Sequence, residues 1–280
     1  MKVLIDNYSS PISTEPMYFD ACLKAVGVES TLWNRAAVNT YDMFDTVQPD
    51  LFITHINQLD NTTLKYLEFL GKHIDVVINI TGATQAALDS MVGVLLSKSV
   101  KCAFLFNNQP VNRLVSTSIP LDTIYYGSDT FLNSEVKLPP PKLEAGIIAA
   151  HNGIADTFIR EHKEKYQTYH TLVVGKNQLG FDASVSVVDM IPLYDKYEKI
   201  ILVGDTISEV YNQIMFDAYT RNGNVEVSLR DNFFDQSIIT STATTARTKH
   251  TCWNRTARLL SKLNCTEPLT LANQIVDQLS

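Results

Sequence analysis

The chain contains neither Gly-x-Gly-x-x-Gly nor Gly-x-x-x-x-Gly-Lys-Ser/Thr. The first absence removes the usual fingerprint for a dinucleotide pyrophosphate. The second removes the loop that cradles phosphates in kinases and ATPases. The stretch 7–15, after the first expected strand, holds no glycine at all. His-Glu-x-x-His and Gly-x-Ser-x-Gly are also missing, which leaves zinc-peptidase and α/β-hydrolase chemistry without an anchor. Cys22, Cys102, Cys252 and Cys265 form no Cys-x-x-Cys pair. With the histidines scattered as well, no metal site is expected, and the thiols read as reduced, in a cytoplasmic protein. No run approaches the roughly 20 apolar residues of a membrane span. Met1-Lys2-Val3-Leu4-Ile5-Asp6 reaches an acid too early for a signal peptide.

What is present is a soluble composition, 45% hydrophobic and 19% charged over 280 residues, enough for one large or two small α/β domains. Apolar runs alternate with helical spacings. Strands are predicted over 2–6, 30–33, 51–55, 75–80 and 100–106, with helices over 16–26, 40–47, 59–70 and 84–96 between them. Thr40 is the expected cap of the second helix, and a further short strand is expected at 124–126. Near-continuous apolar strands separated by helices imply a parallel sheet covered on both faces. Pro139-Pro140-Pro141 makes a stiff extended break. A second series follows. It has strands over 145–150, 169–174, 184–188, 199–203 and 225–228. Its helices run from the His151-Asn152-Gly153 turn to 165, then over 191–197, 207–219, 253–263 and 270–279. The expectation is two doubly wound Rossmann-like domains, 1–140 and 141–280, facing a central cleft, with the last helix packing back on the first domain. Ligands of such sheets bind outside the carboxyl ends of the strands.

The densest pattern is Ile200-Ile201-Leu202-Val203-Gly204, followed by Glu209 and, eight residues on, Asp217. Eight residues is a little over two helical turns, which places the two acids on one helix face. Paired carboxylates beside a strand end suit the hydroxyls of a ribose or a sugar. Upstream stands Pro192-Leu193-Tyr194-Asp195-Lys196-Tyr197, and downstream Phe216-Asp217-Ala218-Tyr219-Thr220-Arg221-Asn222-Gly223-Asn224-Val225. Together these runs resemble the donor half of nucleotide-sugar glycosyltransferases of the two-Rossmann, GT-B type. That family shows a Pro-x-x-Tyr helix, an apolar strand, and a Glu-x7-Glu pair ahead of a Gly and a Pro-Val. This chain departs from it with Asp217 for the second Glu and an Asn for the Pro. The close match covers roughly 40 residues.

The resemblance implies a nucleotide-diphosphate sugar, such as a UDP-sugar, as donor substrate, with no permanently bound cofactor and no metal. It implies that Glu209 faces the donor sugar, that Asp217 holds the ribose hydroxyls and that Gly204 forms the turn between strand and helix. Lys176 and the Gly153 helix start would face the diphosphate, whose charge grows in the transition state. A base for a hydroxyl acceptor should come from the first domain, and the candidates are Asp6, Asp20 and His55. A near-neutral pKa suits that task and favours His55.

Net charge is −7, against a general nucleic-acid binder. Yet 236–266 holds no acid while carrying Arg247, Lys249, Arg255, Arg258 and Lys262. This basic stretch suits a polyanion. Small phage glycosyltransferases that modify 5-hydroxymethylcytosine have a similar look, so hydroxymethylated duplex DNA is the favoured acceptor, in the host bacterial cytoplasm. Alternatives are a glycan or small-molecule acceptor, a sugar-nucleotide epimerase, and a non-catalytic two-domain ligand-binding protein.

Overall fold

A computed structural model describes residues 1–8, 15–60, 62–63, 65, 74–80, 100–105, 121–123, 143–150, 170–174, 183–185, 193–194, 197–204, 213–222, 224–229 and 251–279. Their contacts fall into two units.

The first unit is built on β1 (Lys2–Asp6), β2 (Glu29–Trp33), β3 (Leu51–His55), β4 (Asp75–Asn79), β5 (Val100–Leu105) and β6 (Leu121–Thr123). These form one parallel sheet in the order β2-β1-β3-β4-β5-β6. From β1 the chain goes one way to β2, then returns past β1 to β3. The β1/β3 junction is therefore a topological switch point. Val3, Leu4, Ile5, Phe52, Ile53 and Val77 are buried to the last per cent or so, as expected of strands covered on both faces.

Helix α1 (Glu15–Ala25) runs from the carboxyl edge of this sheet toward its amino edge. It carries Phe19, Cys22 and Leu23 inward. Gly27 takes φ 79° just past its end, a conformation glycine adopts without a Cβ penalty. Helix α2 (Thr40–Val47) is capped by Asn39 rather than by Thr40: the Asn39 side chain accepts from the Asp42 N–H at 3.0 Å. Its single large inward side chain, Phe44, meets Trp33 and Phe52 at ring separations of 6.0 and 5.1 Å. Burial of each phenyl ring contributes about 2 kcal/mol.

The last two helices, α4 (Cys252–Lys262) and α5 (Thr266–Leu279), also belong to the first unit. Helix α5 starts four residues before the expected 270, because Pro268 is tolerated within a first turn.

The second unit holds β7 (Leu143–Ala150), β8 (His170–Val174), β9 (Ala183–Val185), β10 (Tyr197–Gly204) and β11 (Val225–Leu229), with helix α3 (Gln213–Arg221). Its sheet is parallel, in the order β11-β10-β7-β8-β9. Counted from its own first strand this is the doubly wound order 3-2-1-4-5, with the switch point between β7 and β10. Tyr197 opens β10 instead of closing a helix. Asn222 explains how that junction is held: its buried amide donates to the carbonyls of Tyr194 and Tyr197 at 3.0 and 2.8 Å. Its carbonyl accepts from the Asn224 N–H at 2.9 Å.

The chain is thus mixed α/β with parallel sheets. The expected strand at 124–126 lies outside the described residues, and β6 ends just before it. The expected helices over 84–96 and 151–165, most of 59–70 and the first part of 207–219 also lie outside them.

Candidate functional site

Polar side chains gather where β1, β3 and β4 end. Asp6 is the last residue of β1, His55 of β3 and Asn79 of β4. Tyr8 follows β1, and Glu15 begins α1. The carboxyl edge of a parallel sheet at its switch point is where ligands of this architecture bind.

Asp6 is fully buried and saturated with donors. Arg35 gives it Nε at 2.9 and 3.0 Å and a terminal guanidinium nitrogen at 2.6 Å, and Thr54 gives it a hydroxyl at 2.7 Å. Arg35 is itself held over the Trp33 ring at 4.3 Å and donates to the Thr63 hydroxyl at 2.9 Å. The geometry makes Asp6 an anchor between β1, β2 and β3.

Glu15 is 2% exposed. It accepts from the Tyr8 hydroxyl at 2.7 Å and from the Asn79 amide at 3.2 Å, and the Arg255 guanidinium stands 3.5 Å away. Burial pushes its carboxyl up to about 7, against the opposing pull of Arg255 and Tyr8. The Tyr8 hydroxyl is driven well above its ordinary pKa by burial first and by the Glu15 charge second. Tyr8 and His55 are both partly exposed, and their rings lie 5.3 Å apart at 44°.

Of the three candidate bases, His55 and Asp6 stand at this edge and Asp20 does not. Asp20 lies one and a half turns down α1, where it accepts from Ser30 near the amino end of β2 at 2.7 Å and pairs with Lys24 at 2.8 Å. The helix carries it away from the strand ends.

Arg255 corrects a second expectation. It does not stand on a basic surface but is 4% exposed, against Glu15 and 5.2 Å from the Phe19 ring. The reason is helical phase. Cys252, Thr256, Leu259 and Leu260 make the buried stripe of α4, and position 255 falls inside that stripe. Arg258 is exposed, as is Lys262 one turn on. With Asn254, Ser261 and Asn273 they line an open groove of about 520 Å³ between α4 and α5. Arg247 and Lys249 lie outside the described residues.

In the second unit, Gly204 closes β10 on one side of the switch point. On the other side β7 ends at Ala150, three residues before Gly153. Asp217 is not on a solvated helix face. It is 1% exposed, and its charge, after burial, helps drive the Tyr194 hydroxyl up, with Arg221 opposing. Gly153, Lys176 and Glu209 lie outside the described residues. Among the described residues no cluster of His, Cys, Asp and Glu could hold a metal ion, and no helix is long and apolar enough to cross a membrane.

No family model matches the chain, and no curated protein matches it. Solved structures do. One is the Streptomyces sp. SF2575 glycosyltransferase SsfS6 complexed with thymidine diphosphate. It is 11% identical, with 98% of this chain and 99% of that one covered, at a TM-score of 0.45. SsfS6 without that ligand matches over the same extents at a TM-score of 0.42. D-lactate dehydrogenase from Escherichia coli is also 11% identical, covering 88% of this chain and 79% of that one, at a TM-score of 0.28. At these values none of the neighbours assigns a residue or a reaction to this chain.

Tyr8, Glu15, Asn79 and Arg35 escape a reading of the sequence. Asn79 carried a signal, as a polar residue inside the apolar run Val76-Val77-Ile78-Asn79-Ile80. Arg255 carried one too, in its spacing from Cys252 and Leu259. Glu15 carried none, since an acid opening a helix is ordinarily a solvated first-turn charge.

Proposed function

We propose that this chain is a GT-B-type glycosyltransferase that moves a sugar from a nucleotide-diphosphate donor to a hydroxyl. The observation that carries the reading is the strand order of the second sheet. Its switch point lies between the ends of β7 and β10; Gly204 closes β10, and Gly153 comes three residues after the end of β7 in the sequence. That is where a mononucleotide is held in a doubly wound sheet. The missing Gly-x-Gly-x-x-Gly argues for a sugar nucleotide over a nicotinamide cofactor.

In this reading Gly153 and Lys176 face the diphosphate, and Glu209 and Asp217 face the sugar and ribose. The leaving group's charge is met by a helix start and a lysine, without a metal. The candidate base for the acceptor hydroxyl is His55, partly exposed at the end of β3. We favour 5-hydroxymethylcytosine in duplex DNA as acceptor, now on Arg258 and Lys262, with Arg247 and Lys249, and without Arg255. Glycan and small-molecule acceptors, and epimerisation, are the competing outcomes.

The test is incubation with a panel of nucleotide sugars and duplex DNA with and without 5-hydroxymethylcytosine, followed by digestion and mass spectrometry of the nucleosides. A sugar mass on the hydroxymethylated base alone is expected. Nucleoside diphosphate release with no DNA product moves the acceptor to a glycan or small molecule. Conversion of the donor without any acceptor favours the epimerase. Asp217→Asn should weaken nucleotide binding about tenfold or more, the worth of one charge-assisted hydrogen bond. Unchanged affinity removes the ribose assignment.

A further inference from the structure

Arg258 and Lys262 do not stand alone on α4. They are one turn apart, about 6 Å along the helix axis, and both are exposed. Asn254 and Ser261 recur on the same face at helical spacing, and Asn273 joins them from α5 to line one groove of about 520 Å³. Every residue of that lining belongs to the first unit. No acid and no aromatic ring is among the described residues that line it. Two cations with three neutral side-chain donors form the kind of set that meets phosphate oxygens.

We propose that the α4–α5 groove seats the phosphodiester backbone of the acceptor nucleic acid, with Arg258 and Lys262 on two phosphates, and does not read its bases. The proposal rests on the choice of DNA as acceptor made above, not on the sugar chemistry. A base is usually gripped by stacking on an aromatic side chain, and this lining has none. An acidic protein segment would need apolar side chains to anchor on. Here Ala257 is buried and Leu269 and Val276 are half-buried, which leaves little for an anchor. Charge favours the polyanion: the chain carries −7 overall, while 236–266 holds no acid.

Contacts to phosphate fix position and carry no sequence information. The groove therefore holds plain and hydroxymethylated duplex equally, and selection of the modified base falls to the transfer step. Each phosphate met by a cation releases condensed counterions. Two such contacts contribute about −1.8 to the slope of log K against log salt concentration.

The experiment titrates the intact protein into a fluorescently labelled DNA duplex of mixed sequence at a series of sodium chloride concentrations, with no nucleotide sugar present. Anisotropy gives the affinity and its salt slope. Arg258→Gln and Lys262→Gln should each flatten the slope by about 1, and the double variant by about 2. Asn273→Asp, which brings an acid into the groove from the other helix, should weaken binding. Lys24→Gln removes an exposed cation from α1 and should leave affinity and slope as they are. Plain and hydroxymethylated duplex should bind alike. Wild-type affinity and slope in the double variant overturn the proposal, as does a wild type that binds no duplex. Displacement of the duplex by polyglutamate as readily as by unlabelled duplex also overturns it, in favour of an acidic protein partner. Displacement by pyrophosphate at far lower concentration than by unlabelled duplex assigns the groove to a free phosphate compound instead. Should the glutamine variants fail to fold, Asn273→Asp decides, and unchanged binding by it overturns the groove. Sugar transfer to DNA with no effect of these variants removes this proposal alone, and groove binding without any sugar transfer removes only the reaction proposed above.

Discussion

Asp6 accepts from Arg35 through both carboxylate oxygens and from Thr54 through one. Removing that carboxylate leaves a largely buried guanidinium without its main counter-charge. Asp6→Ala should therefore cost about 3 kcal/mol in urea unfolding, with a loss below about 1 kcal/mol showing that Asp60, 3.7 Å from Arg35, takes over. Glu15 gives the opposite pH behaviour from an ordinary ion-paired acid. Its folded pKa lies above the ordinary 4.5, so the folded state holds a proton that the unfolded state releases. Its contribution to stability is intact below about 4.5 and is lost as pH rises through about 7. A rise of about 2.5 units corresponds to roughly 3 kcal/mol. Glu15→Gln should gain about that much on the wild type between pH 4.5 and 8, read as the difference between two urea-unfolding series. A constant difference across that range shows that Glu15 does not titrate there. At this scale the sequence yielded Asp6 and His55, because polar residues that close apolar strands lie at a sheet's carboxyl edge. It did not yield Glu15, because the side chains that bury it come from β4 and α4, far along the chain.

Among the elements, the Asn222 amide ties the end of α3 to the start of β10. Asn222 satisfies two carbonyls and one N–H across the break between them. Asn222→Ala should cost about 2 kcal/mol or more, since it removes three hydrogen bonds to the backbone, two of them buried. Thermal unfolding of the variant measures this, and an unchanged midpoint shows that water replaces the amide. The strands were legible because parallel strands buried on both faces are written as unbroken apolar runs. Their ends were less so. Tyr197 opens β10, paired with Leu143 and with its carbonyl held by Asn222, and Asn39 rather than Thr40 caps α2 through a bond to Asp42. Those choices are made by individual hydrogen bonds, to which hydrophobic spacing is blind. The phase of α4 was written in its spacing, but five cations without an acid read first as a surface.

For the molecule as a whole, the first unit takes β1 to β6 from one end of the sequence and α4 and α5 from the other. A chain ended at residue 251 should lose this unit's stability along with Trp253, Leu259, Leu260 and Ala272 from its core. The readout is limited proteolysis, with residues 1–123 digested while the second sheet persists, and equal protection in both chains would show that the helices are dispensable. The same discontinuity governs the order of events on the ribosome. The segment that brings Arg255 onto Glu15 and Phe19 is translated only after all of 126–252. At roughly 5–20 residues per second, the unfinished first sheet waits on the order of ten seconds for its last helices. Its completion depends on contacts between the two extremes of the sequence, the slowest kind of contact to form. The half of the protein that begins synthesis first is therefore the half that finishes folding last.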